Sequence, residues 1–214
     1  MNADWRKARF TLGIAAVTVA AWLFLAIGRL TGEAAERAGF DPLRFSASAA
    51  GDAMLVPLPL QPVALSLVHL SVYQLLINLL ALIACGRIVE TVIGGRSLLF
   101  LYLVGAYAGV AAHMLAWPLD SGLLVGSGGA VAAVVGAYAM LEGRSRLRVA
   151  GQGGTRALNV LWVGAAWVGI QALLGLATLP AGRPVAIGWA ACLGGFIAGV
   201  LLARPLLLWR WRKA

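Results

Sequence analysis

The chain has 214 residues, 61% of them hydrophobic and 12% charged, which excludes an ordinary water-soluble domain. Its net charge of +9 would suit a nucleic-acid partner, but the basic residues sit between apolar runs rather than in a patch, so none is expected. Two cysteines, and two histidines 44 positions apart, form no metal-ligand cluster, and no cofactor is expected.

Six runs are apolar and long enough to cross a bilayer, which takes about 20 residues each. They are Phe10–Leu30, Leu58–Cys85, Leu98–Trp117, Leu123–Leu141, Ala157–Leu179 and Val185–Leu208. They fill most of the chain, so the expected fold is an all-α polytopic membrane protein, one domain over residues 1–214 with six transmembrane helices. The first run ends in Arg29 without a small-residue cleavage site, and so reads as a retained span rather than a signal peptide. Alternate connections hold 13 of the 17 basic residues, among them Arg9, Arg87, Arg96, Arg156 and Arg210. That bias places both termini in the cytoplasm and Asp52 and Asp120 outside. Cys85 and Cys192 then lie at different depths, too far apart for a disulfide.

The first outer connection, Thr31 to Pro57, mixes helix formers with Gly39, Pro42 and Gly51, and is expected to be partly helical. The second span carries His69, Gln74 and Asn78, polar groups that need partners or a wet cavity in a bilayer. Gln74 and Asn78 are four apart and share a helix face, while His69 points elsewhere. The stretch Gly86–Arg96 reads as a turn in which Glu90 pairs with an arginine or caps the third span. In that span Gly105 and Gly109 offer a close-packing face, and His113 reads as an interfacial, water-reached residue.

Val125-Gly126-Ser127-Gly128-Gly129-Ala130-Val131 opens the fourth span, which continues a small-residue stripe through Ala133, Gly136 and Ala137. The Glu142–Arg156 loop is basic and glycine-rich, and is expected to be flexible beside anionic headgroups. The fifth span is apolar apart from Asn159 and Gln171. The sixth contains Ala191-Cys192-Leu193-Gly194-Gly195-Phe196-Ile197-Ala198-Gly199, and Trp209-Arg210-Trp211-Arg212-Lys213 closes the chain as an interfacial anchor.

In this order the motifs resemble the rhomboid family of intramembrane serine proteases, over about Gly39 to Leu208. Rhomboids carry His-x4-His-x3-Asn in the second span, matched by His69, Gln74 and Asn78 with an amide in place of the second His. Gly86-x3-Glu90 matches the turn that follows, Gly126-x-x-Gly129 the nucleophile motif, and Gly195-x3-Gly199 the glycines after the base. The resemblance puts Gly128 at the nucleophile position and Cys192 at the general-base position, where neither side chain has the required chemistry. It makes Gln74 and Asn78 the oxyanion or peptide-carbonyl donors. Independently of the resemblance, the small-residue faces predict that the fourth span packs on the sixth through Gly129 and Gly136 against Gly195 and Gly199.

The function so implied is that of a pseudoprotease in a bacterial inner membrane. Its partners would be membrane lipids and the transmembrane segments of client proteins, bound without cleavage. The alternative is an active rhomboid-type endopeptidase that uses Ser127. That residue is one position away from the nucleophile site, about 100° round a helix, and would need a base beside it.

Overall fold

The computed structural model describes residues 8–43, 56–119, 122–142, 151–177 and 188–212. Asp52, Asp120, Lys213 and residues 143–150 of the basic loop lie outside them. The helices are α1 (Arg9–Ile27), α2 (Thr31–Ala38), α3 (Gln61–Leu65), α4 (Val72–Ile93), α5 (Gly95–Ala116), α6 (Gly128–Glu142), α7 (Gly151–Ala177) and α8 (Trp189–Trp211). Among the described residues there is no strand, only a single bridge in which Phe40 and Leu124 exchange backbone hydrogen bonds of 3.0 and 2.8 Å.

Five helices, α1, α4, α5, α7 and α8, are long and apolar enough to cross a membrane. The expected fourth span is the exception: α6 has 15 residues and rises about 22 Å, short of a bilayer's roughly 30 Å of hydrocarbon. It begins at Gly128, because Leu124 upstream pairs with Phe40 and Gly126 takes a φ of +103°, a turn that favours glycine. α6 is apolar on every face and buried or half-buried at every position, as befits a helix enclosed by others. It packs against α4, α5, α7 and α8.

Backbone meets backbone in this centre. A Cβ on Gly195 would overlap the Gly129 carbonyl, one on Gly199 the Ala133 carbonyl, and one on Gly136 the Phe196 carbonyl. From α5, Gly109 closes on the Gly129 Cα, where an added Cβ would stand at 3.1 Å. Small residues allow this approach, and dispersion with weak Cα–H···O contacts then holds the helices.

The second span is displaced from its expected bounds. Pro59 and Pro62 break its first part into a 3₁₀ turn, Leu58–Leu60, and the short α3. The Ser71 hydroxyl accepts the Tyr73 N–H at 3.1 Å and starts α4 at Val72. The helix then continues through Gly86 and Arg87, which read as a turn, and ends at Gly94 with φ +88°. Gly86 serves packing instead: a Cβ there would stand 2.9 Å from the Thr11 Cγ2 on α1.

Among the described residues Glu90 pairs with no arginine, and it does not cap the third span. Its carboxylate accepts the Phe10 N–H at 3.0 Å, the Thr11 N–H at 2.8 Å and the Thr11 hydroxyl at 2.7 Å. α1 is preceded by Ala8, which has no capping side chain, so a buried acid on α4 does that work.

Further along, α7 begins at Gly151, inside the loop expected to be flexible. At the chain's end Arg210 reaches from α8 and donates to the Thr91 carbonyl at 2.6 Å. His113 is 0% exposed rather than water-reached, because Trp117 lies against its ring at 5.8 Å and Trp189 packs edge-on to Trp117 at 5.0 Å.

Candidate functional site

A cavity of about 140 Å³ opens where α4, α6, α7 and α8 converge. Its polar lining comes from Ser66, Ser71, Gln74, Gln171 and Cys192, and from the backbone at Gly126, Gly128 and Gly129. The start of α6 is its floor. Ser127 is the last residue before the helix and its carbonyl accepts the Val131 N–H at 2.8 Å. The first-turn amides of Gly128, Gly129 and Ala130 have no acceptor within the helix and lie along the cavity. Peptide N–H groups at a helix N-terminus suit a carbonyl or an anion.

Gly128 and Cys192 face each other. A Cβ on Gly128 would stand 3.1 Å from the Cys192 Sγ and 3.7 Å from the Gln171 Nε2. Two positions on different helices are thus within side-chain reach across the cavity, but one has no side chain and the other has a thiol without a base.

Gln74 and Asn78 have separate surroundings. Gln74 lines the cavity, donating to the Val125 carbonyl at 3.1 Å and accepting the Leu70 N–H at 3.3 Å. One of its amide hydrogens remains for a ligand. Asn78 is 2% exposed and engaged on both sides: its Nδ2 is 3.4 Å from the His69 Nε2, and its Oδ1 accepts the Gln171 Nε2 at 2.7 Å. Gln171 therefore borders the cavity where the sequence places Asn78. One of two amides in an otherwise apolar span, Gln171 was the available signal, since such a group needs a partner.

His69 does not point away from Asn78. It precedes the start of α4 at Val72, so the helical wheel that separates the two residues does not apply to it. Its Nε2 also lies 3.2 Å from the Ser127 Oγ and accepts the Ser127 N–H at 3.4 Å. The Tyr102 side chain of α5 lies beside Ser127 and Thr18. This cluster is enclosed, with His69 0% and Ser127 2% exposed, and neither residue lines the cavity. The network thus joins the turn before α4, α4 itself, α7 and the turn before α6 beneath the cavity floor.

Gly129, Gly136, Gly195 and Gly199 are the α6–α8 contact described above, with Gly129 also at the cavity's edge. Among the described residues no group of three or more His, Cys, Asp or Glu is placed to hold a metal ion.

The family model described as Rhomboid domain matches residues 61–209 of the chain. No curated protein matches it.

Proposed function

Because the chain belongs to the rhomboid family, we propose that this integral membrane protein is a pseudoprotease that holds transmembrane segments of client proteins without cleaving them. The observation that carries this reading is the facing pair Gly128 and Cys192, 3.1 Å from an added Cβ to Sγ. Serine hydrolysis needs a hydroxyl there and an imidazole opposite, and both are missing. The elements that would receive a peptide carbonyl remain: the first-turn amides of α6, the Gln74 amide and the cavity between them. A client segment unwound near Gly126 would find hydrogen-bond donors there and no nucleophile. The basic bias of alternate connections supports cytoplasmic termini in a bacterial inner membrane.

The test restores the missing groups. Wild-type protein should leave a rhomboid substrate intact and take up no fluorophosphonate probe, while Gly128→Ser with Cys192→His should be labelled. Labelling of the wild type would overturn the reading, and a folded but silent double variant would remove the cavity's claim to a peptide.

Ser127 and His69 support a second reading, because they supply a hydroxyl and an imidazole 3.2 Å apart. Their enclosure disfavours it, since both residues are buried and a substrate carbonyl would have to enter beneath the floor. Cleavage that disappears in Ser127→Ala and in His69→Ala would establish this second reading.

A further inference from the structure

Between α1 and α5 lies a second space, a groove of about 460 Å³. Gly13, Ile14 and Val17 form one wall, Leu99 and Leu103 the other, and Leu67 lies at the far end. The blind end is at Thr18 and Ser66, whose hydroxyls are turned to backbone carbonyls of Ile14 and Pro62 at 2.9 and 2.7 Å. Little but hydrocarbon therefore faces the groove along its length.

Its mouth is cationic. Arg9 lines it and is exposed. Arg96 lies on the same face of α5 as Leu99 and Leu103, at i, i+3 and i+7, and is also exposed. The two helix starts touch, since a Cβ on Gly95 would overlap the Phe10 ring. Among the described residues, Glu90 is an acid close to these helix starts, and it is buried and taken up by the amides of α1.

We propose that this groove is a binding site for one anionic glycerophospholipid of the leaflet at the α1 N-terminus, with an acyl chain in the groove and its phosphate at Arg9 and Arg96. The dimensions favour a chain. From Arg9 to Thr18 is about 13 Å along α1, close to the roughly 15 Å of hydrocarbon in one leaflet. A transmembrane helix, about 10 Å across and crossing both leaflets, would meet Leu67 and Ser66 halfway. The charge favours an anion, because a guanidinium pairs with phosphate through a planar fork of donors. Ser66 borders both this groove and the cavity at Gly128, but no other lining residue is shared, and the proposal does not rest on how that cavity is used.

The test uses the delipidated full-length protein in detergent, titrated with phosphatidylglycerol and with phosphatidylcholine of the same chains and followed by native mass spectrometry. Wild type should retain one phosphatidylglycerol and prefer it over phosphatidylcholine by about fivefold per arginine. Arg9→Gln with Arg96→Gln should remove that preference while leaving chain binding. Gly13→Phe should abolish retention of both lipids, since an added Cβ meets nothing within 4 Å and the ring would fill the groove. If that variant melts early, Leu99→Trp blocks the groove from the opposite wall. Equal affinity of wild type for the two lipids, or undiminished retention in a folded blocked variant, would overturn the proposal. So would a wild-type dimer that Gly13→Phe dissociates, since the groove would then hold a second copy.

Discussion

The cavity at Gly128 has two neighbouring walls built on different principles. Between α6 and α8 the contact is backbone on backbone, with Gly195 against the Gly129 carbonyl and Gly199 against that of Ala133. α7 is attached by side chains: Gln171 donates to Asn78 at 2.7 Å, Asn159 donates to the Ala139 carbonyl at 2.9 Å, and the Phe196 ring fills the space at Gly164. Much of α7 faces lipid, with Leu161 70% and Trp162 72% exposed. Lipid tails are as apolar as leucine, so burial drives neither contact, and geometry and hydrogen bonding decide. A backbone contact has no slack, because a carbonyl cannot rotate away from an incoming methyl. A side-chain contact can repack, so α7 is the wall that can change at little cost.

The sharpest break of that contrast is Gly195→Leu. Its side chain would occupy the space of the Gly129 carbonyl, and forcing bulk into a close-packed contact costs about 3 kcal/mol or more. Leu201 on the same helix is 68% exposed, and Leu201→Ala should change stability by less than about 0.5 kcal/mol. Thermal unfolding of both variants in one detergent checks this, and equal melting temperatures would deny the contact its importance.

Glu90→Ala comes next. It strips α1 of a carboxylate that accepts from two amides and a hydroxyl, leaving buried donors unsatisfied at a helix start. The expected loss is about 2 kcal/mol. Hydrogen exchange should rise first at residues 10–12, while amides of α6 stay protected. Uniform loss of protection across α1 and α6 would mean that Glu90 supports the whole bundle.

The bundle was legible in the sequence because transmembrane hydrophobicity is continuous, and five of six expected spans correspond to helices long enough to cross. What failed were decisions that need a partner. Gly86 reads as a turn from its neighbours, yet it lies in a helix because Thr11, 75 positions earlier, needs the room. Glu90 has no sequence signal tying it to the amides of Phe10 and Thr11. The site divides similarly. The fixed spacing of motifs put Gly128 and Cys192 on facing helices, whereas the roles of Asn78 and Gln171 depend on which of two amides stands nearer the cavity. His69 escapes the helical wheel, which does not extend back across Ser71, where α4 begins.

The finest test addresses the yielding wall through Gln171→Leu. The substitution keeps most of the side-chain volume and removes the donor to Asn78, whose Nδ2 remains near His69. Hydrogen bonds between transmembrane helices average about 0.6 kcal/mol and reach about 1.7 in the best cases. This one is short at 2.7 Å and Asn78 is buried, so a loss of about 1 kcal/mol is expected, well below that of Gly195→Leu. The effect should also be local. Asn159 and the Gly164–Phe196 contact lie toward the α7 N-terminus and are untouched, so the C-terminal half of α7 should loosen alone. A cysteine at Leu174, which lines the cavity, would report this as faster maleimide labelling in the Gln171→Leu background. An unchanged labelling rate would mean that α7 is held by its apolar packing, and the contrast between the two walls would lose its polar half.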